Sequence, residues 1–400
     1  MEVLSNRINQ LSESETLAMT RISRELKAKG HDVINLSIGE PDFFTPDFIK
    51  EAAKRAIDCN YTFYSPVSGY QDLREAISFK FKRDNNLDYA PDQIVASTGA
   101  KQSIANVVLS LVNPGEEVLL PVPFWVSYKE IIKLAEAKAV YIPTSIENNF
   151  KVTAEQLEAA ITPKTKLMMF SSPCNPTGSV YRKDELEQIA RVIAKHEHLY
   201  IISDEIYEHI NFIGKHESIA QFNFIKDRVI TINGVSKGFA MTGWRLGYIG
   251  APKFIAQACD KLQGQFTSGT CTISQRAAIE ALKQDPSYCT EMKNMQKAFR
   301  ERRDLVLEML HDIPGMKTNI PEGAFYIFAD ISSFFGKTDG DTIIKDANDL
   351  SMYILNKYFL ALVPGNAFGD PNCIRISYAT SNDKLIESVK RLKEALSKLI

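Results

Sequence analysis

The sequence predicts an α/β protein in which a mostly parallel sheet, covered by helices on both faces, is joined to a smaller α+β domain. The first observation behind this fold is a regular alternation of short apolar segments with amphipathic segments of helical length, the pattern of strands that are buried on both faces. The second is that polar residues follow the apolar segments, where ligands bind in such sheets. The third is the length of 400 residues, which favours two domains.

The N-terminal part of the chain is predicted to be mainly helical. Ser12 or Ser14 caps the first helix, and Gly30 lies just beyond its end. Proline is tolerated at the first position of a helix, so Thr45-Pro46 opens the second. The predicted elements are, in order, helix 12–29, strand 33–38, the helix from 45, loop 61–69 and helix 70–83.

The alternation that predicts the parallel sheet begins at residue 93. Its apolar strands are separated by segments with the period of a helix, and two further strands enclose a loop rich in glycine and serine. The predicted strands are 93–97, 117–120, 166–171, 200–203, 229–233 and 246–250, and the predicted helices are 101–112, 125–135 and 183–195.

The C-terminal part begins with a long charged helix, 286–310, which we interpret as the connection between domains. Short strands and two helices follow, which is typical of an α+β domain. We therefore expect a large domain over 46–290 and a small domain formed by 1–45 and 291–400. The predicted elements of the small domain are strands 324–329, 360–363 and 374–378 and helices 342–357 and 382–399.

Composition excludes several classes of protein. With 47 basic and 49 acidic residues the net charge is −2, which gives no electrostatic basis for binding nucleic acid or an anionic membrane. No apolar run has the length of a membrane span, and the N-terminus does not resemble a signal peptide. The six cysteines and six histidines show no metal-ligand spacing. We expect a reduced, cytoplasmic enzyme without a metal.

The loop between the last two strands of the sheet carries Lys237 and Arg245. Lys237 lies between Ser236 and Gly238, and such small neighbours let a planar group approach the amine. A lysine with a lowered pKa forms a Schiff base with a carbonyl, and Arg245 is close enough in sequence to hold an anionic group of the same molecule. A carbonyl and a phosphate on one ring describe pyridoxal phosphate. Taken alone, Ser-Lys-Gly is more often an ordinary loop.

Polar residues after two neighbouring strands suit such a ring. Asp204 follows an apolar strand and could pair with a protonated ring nitrogen, although a helix cap is the alternative. Tyr207 and Asn175 could hydrogen-bond a phenolic oxygen, or could be a core tyrosine and a turn asparagine. The Asn175–Pro176 bond is a candidate cis peptide.

Three further sites complete the set of candidates. The turn at Gly99, Ala100 and Lys101 leads from a strand into a helix, whose free amides suit a phosphate. Trp125 has a flat face for stacking on a ring, although large aromatic residues are more often core. Arg375 lies within an apolar strand and needs a planar anion, either a substrate carboxylate or an internal acid.

Together these segments resemble the fold-type-I pyridoxal-phosphate enzymes, specifically the class I aminotransferases of the aspartate aminotransferase type. The resemblance covers nearly the whole chain and implies a seven-stranded sheet in the large domain. It is carried by three ordered motifs and by residues at either end. These are 36–42 (LSIGEPD), 175–178 (NPTG), 204–207 (DEIY), 234–247 (GVSKGFAMTGWRLG) and Arg375.

The resemblance implies a role for each candidate residue. Lys237 would form the Schiff base and later transfer a proton, Asp204 would pair with the ring nitrogen, and Tyr207 and Asn175 would contact the phenolic oxygen. The remaining roles are phosphate binding by Ser236, Arg245 and the amides of Gly99, Ala100 and Lys101, stacking by Trp125, and α-carboxylate binding by Arg375 and the Gly39 backbone.

Other implied roles concern the substrate and a second subunit. Tyr64 resembles a tyrosine that reaches the phosphate of the neighbouring subunit, which implies a homodimer. Lys101, in the Gly-Ala-Lys-Gln turn, resembles the lysine that binds the distal carboxylate in the subgroup this chain is most similar to. The arginine that other aspartate aminotransferases use for that carboxylate has no match near 263–270. Ser14 and Thr16 match positions near the same end of the pocket. Cys174 departs from the asparagine that relatives often have, with little expected effect.

The expected activity is transfer of an amino group between aspartate or glutamate and a 2-oxo acid (2-oxoglutarate or oxaloacetate). An aromatic or prephenate aminotransferase on the same scaffold is the alternative, and β-elimination is a further one. A DNA-binding regulator is disfavoured, because the sequence has neither a basic N-terminal extension nor the charge for DNA.

Overall fold

The computed structural model describes residues 3–13 and 15–400, so Ser14 lies outside the described residues. Within those ranges the helices, α1 to α13, are Asn6–Gln10, Glu15–Ala28, Asp47–Asp58, Gln71–Asn85, Ala100–Leu111, Val126–Leu134, Ala154–Ala160, Lys183–Lys195, Lys253–Phe266, Thr272–Lys283, Thr290–His311, Ala347–Tyr358 and Asn382–Ser397. The strands, β1 to β15, are Ile34–Asn35, Ile94–Ser97, Glu117–Val122, Lys138–Pro143, Thr165–Ser171, Tyr200–Asp204, Val229–Gly234, Gly247–Gly250, Lys317–Thr318, Tyr326–Asp330, Thr338–Asp339, Thr342–Ile343, Leu360–Ala361, Val363–Pro364 and Cys373–Ser377.

A seven-stranded sheet with the order β2-β8-β7-β6-β5-β3-β4 forms the centre of the molecule. All its strands are parallel except β8, which is antiparallel to both neighbours. Successive residues of a strand point to opposite faces, so Leu167 and Met168 belong to separate apolar cores on the two sides of the sheet. The predicted fold class is confirmed.

The C-terminal part contains a second sheet, with the order β14-β15-β10-β9 and antiparallel pairing throughout. The segment predicted as one strand over 360–363 is divided: β13 pairs in parallel with the N-terminal strand β1, and β14 pairs with β15. The N-terminal residues therefore contact the C-terminal part of the chain, and the domain limits proposed from the sequence stay a prediction.

Several predicted boundaries are wrong, each for a local reason. The strand β4 escaped prediction because it is an edge strand and most of its side chains are at least partly exposed. Helix α11 begins at Thr290, not at 286, since Asp285 accepts hydrogen bonds from Ser287 and closes a turn there. Pro46 is the N-cap of α3, and Asp47 is the first helical residue. Helices α1, α7, α9 and α10 were also not predicted.

The predicted cis bond is wrong as well. The described cis peptides are Val122–Pro123 and Ser172–Pro173, and Asn175–Pro176 is not among them. The cis and trans forms of an X–Pro bond differ by only about 0.5–1 kcal/mol, so the surrounding structure decides which proline adopts cis. None of the described helices is both long and apolar enough to cross a bilayer.

Candidate active site

A cavity of about 300 Å³ opens at the edge of the large sheet where its parallel strands end. The segments that follow β2, β3, β5, β6 and β7 all contribute to its wall, as expected for a ligand site in an open α/β sheet. Gly99 and Tyr64 do not line the cavity. The other predicted residues do: Gly39, Ala100, Lys101, Trp125, Asn175, Asp204, Tyr207, Ser236, Lys237, Arg245 and Arg375.

Lys237 projects into this cavity from the loop after β7. Its Nζ atom donates a hydrogen bond to the carbonyl oxygen of Gly39 at 2.5 Å. Burial of the amine lowers the pKa of Lys237 to about 8, opposed by the charge of Glu40 and assisted by Arg375. The neutral amine, which is the nucleophile, is therefore far more available than in a free lysine.

The glycine after this lysine makes room for the side chain of His209. A Cβ atom at Gly238 would lie 2.6 Å from the ring of His209. The absence of a side chain thus lets His209 pack beneath the loop that carries Lys237, and the loop is held in place by this contact.

Asp204 ends β6, the strand next to β7, and only 4% of its surface is exposed. Its Oδ2 atom accepts a hydrogen bond from the Tyr128 hydroxyl at 2.7 Å, and Oδ1 accepts one from the Ile206 amide at 3.3 Å. Burial raises the pKa of Asp204 to about 6, against the lowering effect of these hydrogen bonds. A cationic partner in the cavity would stabilise this carboxylate.

Arg375 is buried, and it forms no ion pair with an acid in the part of the chain that the structure describes. Nη1 donates to Asn175 Oδ1 at 3.0 Å and Nη2 to the Ser37 carbonyl at 2.5 Å, while Nε, shielded from solvent, has no hydrogen-bond partner among the described residues. Its guanidinium lies over the rings of Tyr326 and Phe368, 4.6 and 5.0 Å from their centroids. Within the described chain Arg375 has no internal ion pair, so that alternative fails. The edge of the guanidinium that carries the unpaired Nε, which we call the free edge, is suited to a carboxylate.

Tyr207 and Asn175 lie in the same wall but have protein partners. The Tyr207 hydroxyl is 2.8 Å from that of Tyr326, and Asn175 accepts from Arg375. The tyrosine pair also lies beside Lys237, whose Nζ atom is 5.7 Å from the centre of the Tyr207 ring. The predicted donors are thus brought together around one space.

The start of helix α5 forms the opposite end of the cavity. Gly99 has φ +81°, and a Cβ atom there would collide with the guanidinium of Arg245. Ser236 is buried nearby, and Gly247 leaves room for the amide of Ala100. An arginine packed against the first amides of a helix is suited to an anion.

Lys101 and Trp125 form a further wall. Lys101 Nζ lies 5.1 Å from the Trp125 ring centroid, and it makes no ion pair with an acid in the described part of the chain. Burial, and then the charge of Arg245, lower the pKa of Lys101. Thr16 and Leu17 complete this side of the cavity.

Two functional tyrosines were missed by the sequence reasoning. Tyr128 holds Asp204, and Tyr326 contacts both Tyr207 and Arg375. Tyr128 follows Trp125 by three residues, a helical spacing that could have suggested a shared face. No local pattern marks Tyr326. Tyr64 is 98% exposed, so a role at a neighbouring subunit stays a prediction.

A buried amine and a buried acid at the carboxyl edge of the large sheet share one cavity with a buried arginine from β15 of the second sheet. This arrangement is suited to an enzyme of the α/β class that acts on a carboxylate. Residues 31–392 match the family model for aminotransferase class I and II. The chain belongs to this family and is an aminotransferase.

Similar proteins agree with this family. The chain is 49% identical over 395 residues to the bifunctional aspartate aminotransferase and glutamate/aspartate-prephenate aminotransferase of Petunia hybrida, covering 98% of this chain and 82% of that protein. It is 45% identical over 402 residues to the probable aspartate/prephenate aminotransferase of Rickettsia bellii, covering all of both. The aspartate aminotransferase structure from Rhizobium meliloti has a TM-score of 0.95 at 40% identity and covers 99% of both chains. The Thermus thermophilus aspartate aminotransferase with maleate has a TM-score of 0.93 at 37% identity, covering 99% of this chain and 100% of that one.

Proposed function

We propose that this aminotransferase moves an amino group between aspartate or glutamate and a 2-oxo acid, with pyridoxal 5′-phosphate as its cofactor. The observation that carries the proposal is the common cavity of Lys237, Asp204 and Arg375. It supplies an amine for an aldehyde, an acid for a cationic ring and a guanidinium for a carboxylate. The names of the relatives support the choice of substrates.

The residues of the cavity fit this cofactor. Lys237 would hold it covalently, Asp204 would keep its ring nitrogen protonated, and Trp125 would pack on the ring. Tyr207 and Asn175 would give up part of their present contacts and hydrogen-bond the phenolic oxygen of the cofactor instead. The phosphate would lie against Ser236, Arg245 and the amides of Gly99, Ala100 and Lys101. When bound, the cofactor supplies the carbonyl that receives the amino group and a ring that withdraws electrons from the substrate Cα.

The protein's own groups would then bind and orient the substrate. Arg375, with the Gly39 backbone beside it, would hold the α-carboxylate through its free edge, and Lys101 would bind the distal carboxylate. Lys237 Nζ would accept the proton from the substrate Cα and later return one, and a pKa near neutrality suits both tasks. Fixed positions at both ends of the substrate place its Cα beside this base.

A prephenate or aromatic acceptor is the second candidate. Two of the relatives named above carry prephenate in their names, and the wall that holds Lys101 also contains the aromatic face of Trp125. Substitution of Lys101 by alanine should lower kcat/KM for aspartate more than kcat/KM for phenylalanine. Equal losses of kcat/KM for the two substrates would favour an aromatic or prephenate aminotransferase. Release of pyruvate from a cysteine substrate in the absence of an amino acceptor would indicate β-elimination.

A homodimer belongs to the same proposal. Phe63 and Tyr64, on the loop 61–69, are 78% and 98% exposed, and Phe266 nearby in α9 is 65% exposed. Such apolar side chains are suited to contact with a second copy, in which Tyr64 would reach the phosphate site. We also propose the domain limits 46–290 and 1–45 with 291–400, a cytoplasmic location, and no nucleic-acid or membrane partner.

The decisive experiment is a panel of single half-reactions. The protein loaded with pyridoxal phosphate is mixed with aspartate, glutamate, phenylalanine or cysteine, and the visible absorbance of the bound cofactor is followed. Aspartate and glutamate should discharge it, and oxaloacetate or 2-oxoglutarate should restore it. Lys237→Ala should abolish turnover. Full turnover in Lys237→Ala, or no response to any amino acid, would disprove the proposal.

A further inference from the structure

The hydroxyl groups of Tyr207 and Tyr326 form a hydrogen-bonded pair in the wall of the active-site cavity. Their oxygen atoms are 2.8 Å apart, and within the described residues neither oxygen has another hydrogen-bond partner. Tyr207 follows β6 of the large sheet, whereas Tyr326 is the first residue of β10 in the second sheet. Each hydroxyl group carries one hydrogen atom. One of the two hydrogens therefore lies between the oxygens, and the other can be donated to a ligand.

The position of the Tyr326 hydroxyl group is set by the residues around it. The side chain is completely buried, and the guanidinium of Arg375 lies over its ring, 4.6 Å from the ring centroid. Gly39 leaves room for the hydroxyl oxygen, since a Cβ atom at that position would lie 2.5 Å from it. The carbonyl oxygen of the same glycine accepts the hydrogen bond of Lys237. The hydroxyl group is therefore confined by packed groups close to the reactive amine.

The charges near the two rings decide which hydroxyl group donates to the other. Burial raises the pKa of Tyr326, but the charge of Arg375 and the bond to Tyr207 oppose this rise. Burial also raises the pKa of Tyr207, where Tyr326 adds to the rise more than Arg375 opposes it. The charge of Asp204 acts there in the same direction as Tyr326. Tyr326 is thus the stronger acid of the pair and the better donor, which leaves the hydrogen of Tyr207 for a ligand.

We propose that Tyr326 is a positioning residue of the transamination, whose hydroxyl group donates to that of Tyr207 and so directs the Tyr207 hydrogen to the phenolic oxygen of the cofactor. A hydroxyl group can donate and accept at the same time. Tyr207 would therefore give up only the possibility of donating to Tyr326, and it would keep Tyr326 as its own donor. This inference rests on the proposed function and adds to it a residue that acts on the cofactor through another side chain.

A chain of two hydrogen bonds should support the phenolic oxygen better than Tyr207 alone. Hydrogen bonds that follow one another polarise each other, by about 10–30% per bond. The phenolic oxygen needs a donor most when the nitrogen that Lys237 supplies to the cofactor has lost its proton, because a neighbouring positive charge is then lost. A donor therefore lowers the pH at which this nitrogen titrates, and loss of the donor raises it.

The first test follows the visible absorbance of the cofactor-loaded protein against pH. The midpoint of the change should be higher in Tyr326→Phe than in the wild type by about 0.2–0.5 pH unit. Tyr207→Phe should raise the midpoint by about one to two pH units, because it removes the donor itself. The double variant should have the midpoint of Tyr207→Phe, since Tyr326 acts only through that hydroxyl group.

The matched control is Tyr378→Phe, which removes another buried tyrosine hydroxyl group from the C-terminal part of the chain. That group donates to the carbonyl oxygen of Ala324, and Tyr378 does not line the cavity. The control should therefore leave the midpoint where the wild type has it. A shift as large in Tyr378→Phe as in Tyr326→Phe would overturn the inference, because the effect would then come from lost packing.

A second readout does not depend on the activity of the loaded enzyme. Pyridoxine 5′-phosphate keeps the phenolic oxygen but has no aldehyde that could react with Lys237. Its Kd for the cofactor-free protein should rise about twofold to fourfold in Tyr326→Phe. The Kd of inorganic phosphate, which has no phenolic oxygen, should be the same in both proteins.

The outcomes separate this inference from the proposed function. If pyridoxal phosphate gives no visible absorbance that Lys237→Ala removes, or if aspartate does not discharge it, the proposed function is wrong. If the wild type passes both tests but Tyr326→Phe leaves the midpoint and the Kd unchanged, Tyr326 has a structural role only and the inference alone is disproved. A lower midpoint or tighter binding in Tyr326→Phe would also overturn it, because Tyr326 would then compete with the cofactor for the Tyr207 hydrogen.

Discussion

The turn 204–210 separates two buried groups of charged side chains, of which one is paired within the protein and the other faces the active-site cavity. Asp204 and Tyr207 face the active-site cavity, whereas Glu205 and Glu208 face a buried cluster behind it. In that cluster, which we call the charge cluster, every acid has a partner. Glu208 forms an ion pair with Lys80 and accepts a hydrogen bond from Asn85 at 2.8 Å, and Lys80 also donates to Asn85 at 2.8 Å. Glu205 pairs with His216 at 3.0 Å and accepts hydrogen bonds from Ser203 and Ser218.

Titration behaviour follows the same division. Burial alone would raise the pKa of Glu208, but Lys80 and the nearby histidines hold it below its ordinary value. The pKa of His216 is raised by Glu205 in spite of burial. In the cavity, burial lowers the pKa of Lys237 and raises that of Asp204, because no protein charge compensates fully. Protein partners therefore balance the acids of the charge cluster, whereas burial dominates the pKa values of Lys237 and Asp204 in the active site.

The largest effect is expected in the charge cluster. Lys80→Met leaves Glu208 buried without its ion-pair partner, and breaking a buried pair costs about 3–5 kcal/mol. Urea unfolding should show this loss, and the exposed neighbour Lys82→Met should cost less than about 0.5 kcal/mol. A loss as small as that of Lys82→Met would show that the cluster contributes no more than a surface pair.

The corresponding change in the active site should act in the opposite direction. Lys237→Met abolishes activity but removes a buried amine whose pKa lies near 8 in the folded chain against an ordinary 10.5. At roughly 1.4 kcal/mol per pH unit, the cofactor-free variant should be more stable by about 3 kcal/mol at pH 7.

The pH dependence fixes the sign of this effect. The folded chain binds fewer protons than the unfolded chain between pH 8 and 10.5, so the stability of the wild type should rise across that window. The free energy of unfolding of the wild type should be lower than that of Lys237→Met by the full amount below pH 8, and the difference should vanish above about pH 10.5. Cofactor-free urea melts of both proteins measure it, and a constant difference at all pH values would contradict the prediction.

A smaller effect is expected for Arg375, through the KM for aspartate. Arg375→Lys keeps a positive charge but loses the planar fork that binds a carboxylate. The KM for aspartate should rise roughly 30-fold, equivalent to about 2 kcal/mol, with a smaller change in kcat. Arg191→Lys, on the exposed face of α8, serves as the control. An unchanged KM would place the α-carboxylate elsewhere.

The smallest effect tests the electrostatics of Lys237 directly. Capture of pyridoxal phosphate by the cofactor-free protein requires the neutral amine, so its rate should rise with a midpoint near pH 8. Glu40 raises the pKa of Lys237, so Glu40→Gln should move the midpoint to lower pH by less than about one pH unit. A midpoint near 10.5 would mean that the amine is solvated.

Much of the active site could be predicted because its residues follow buried strands. Lys237, Asp204 and Asn175 each come after an apolar segment, and parallel strands bring such positions to one edge. The two tyrosines that hold the site could not be predicted in this way. Tyr326 lies 119 residues from Tyr207, and only the packing of β10 against the cavity brings their hydroxyl groups together.

By itself, therefore, the sequence determined the alternating fold, the edge of the sheet at which the candidate site residues meet and the types of side chain placed there. These depend on local hydrophobic period and on motifs of a few residues, which act over short distances along the chain. Only the tertiary structure decided which proline is cis, which acid is paired and which is left open, and that the hydroxyl groups of Tyr207 and Tyr326 meet. Burial and pairing are set by residues far apart in sequence, and a pKa depends on all the charges and solvent around a group.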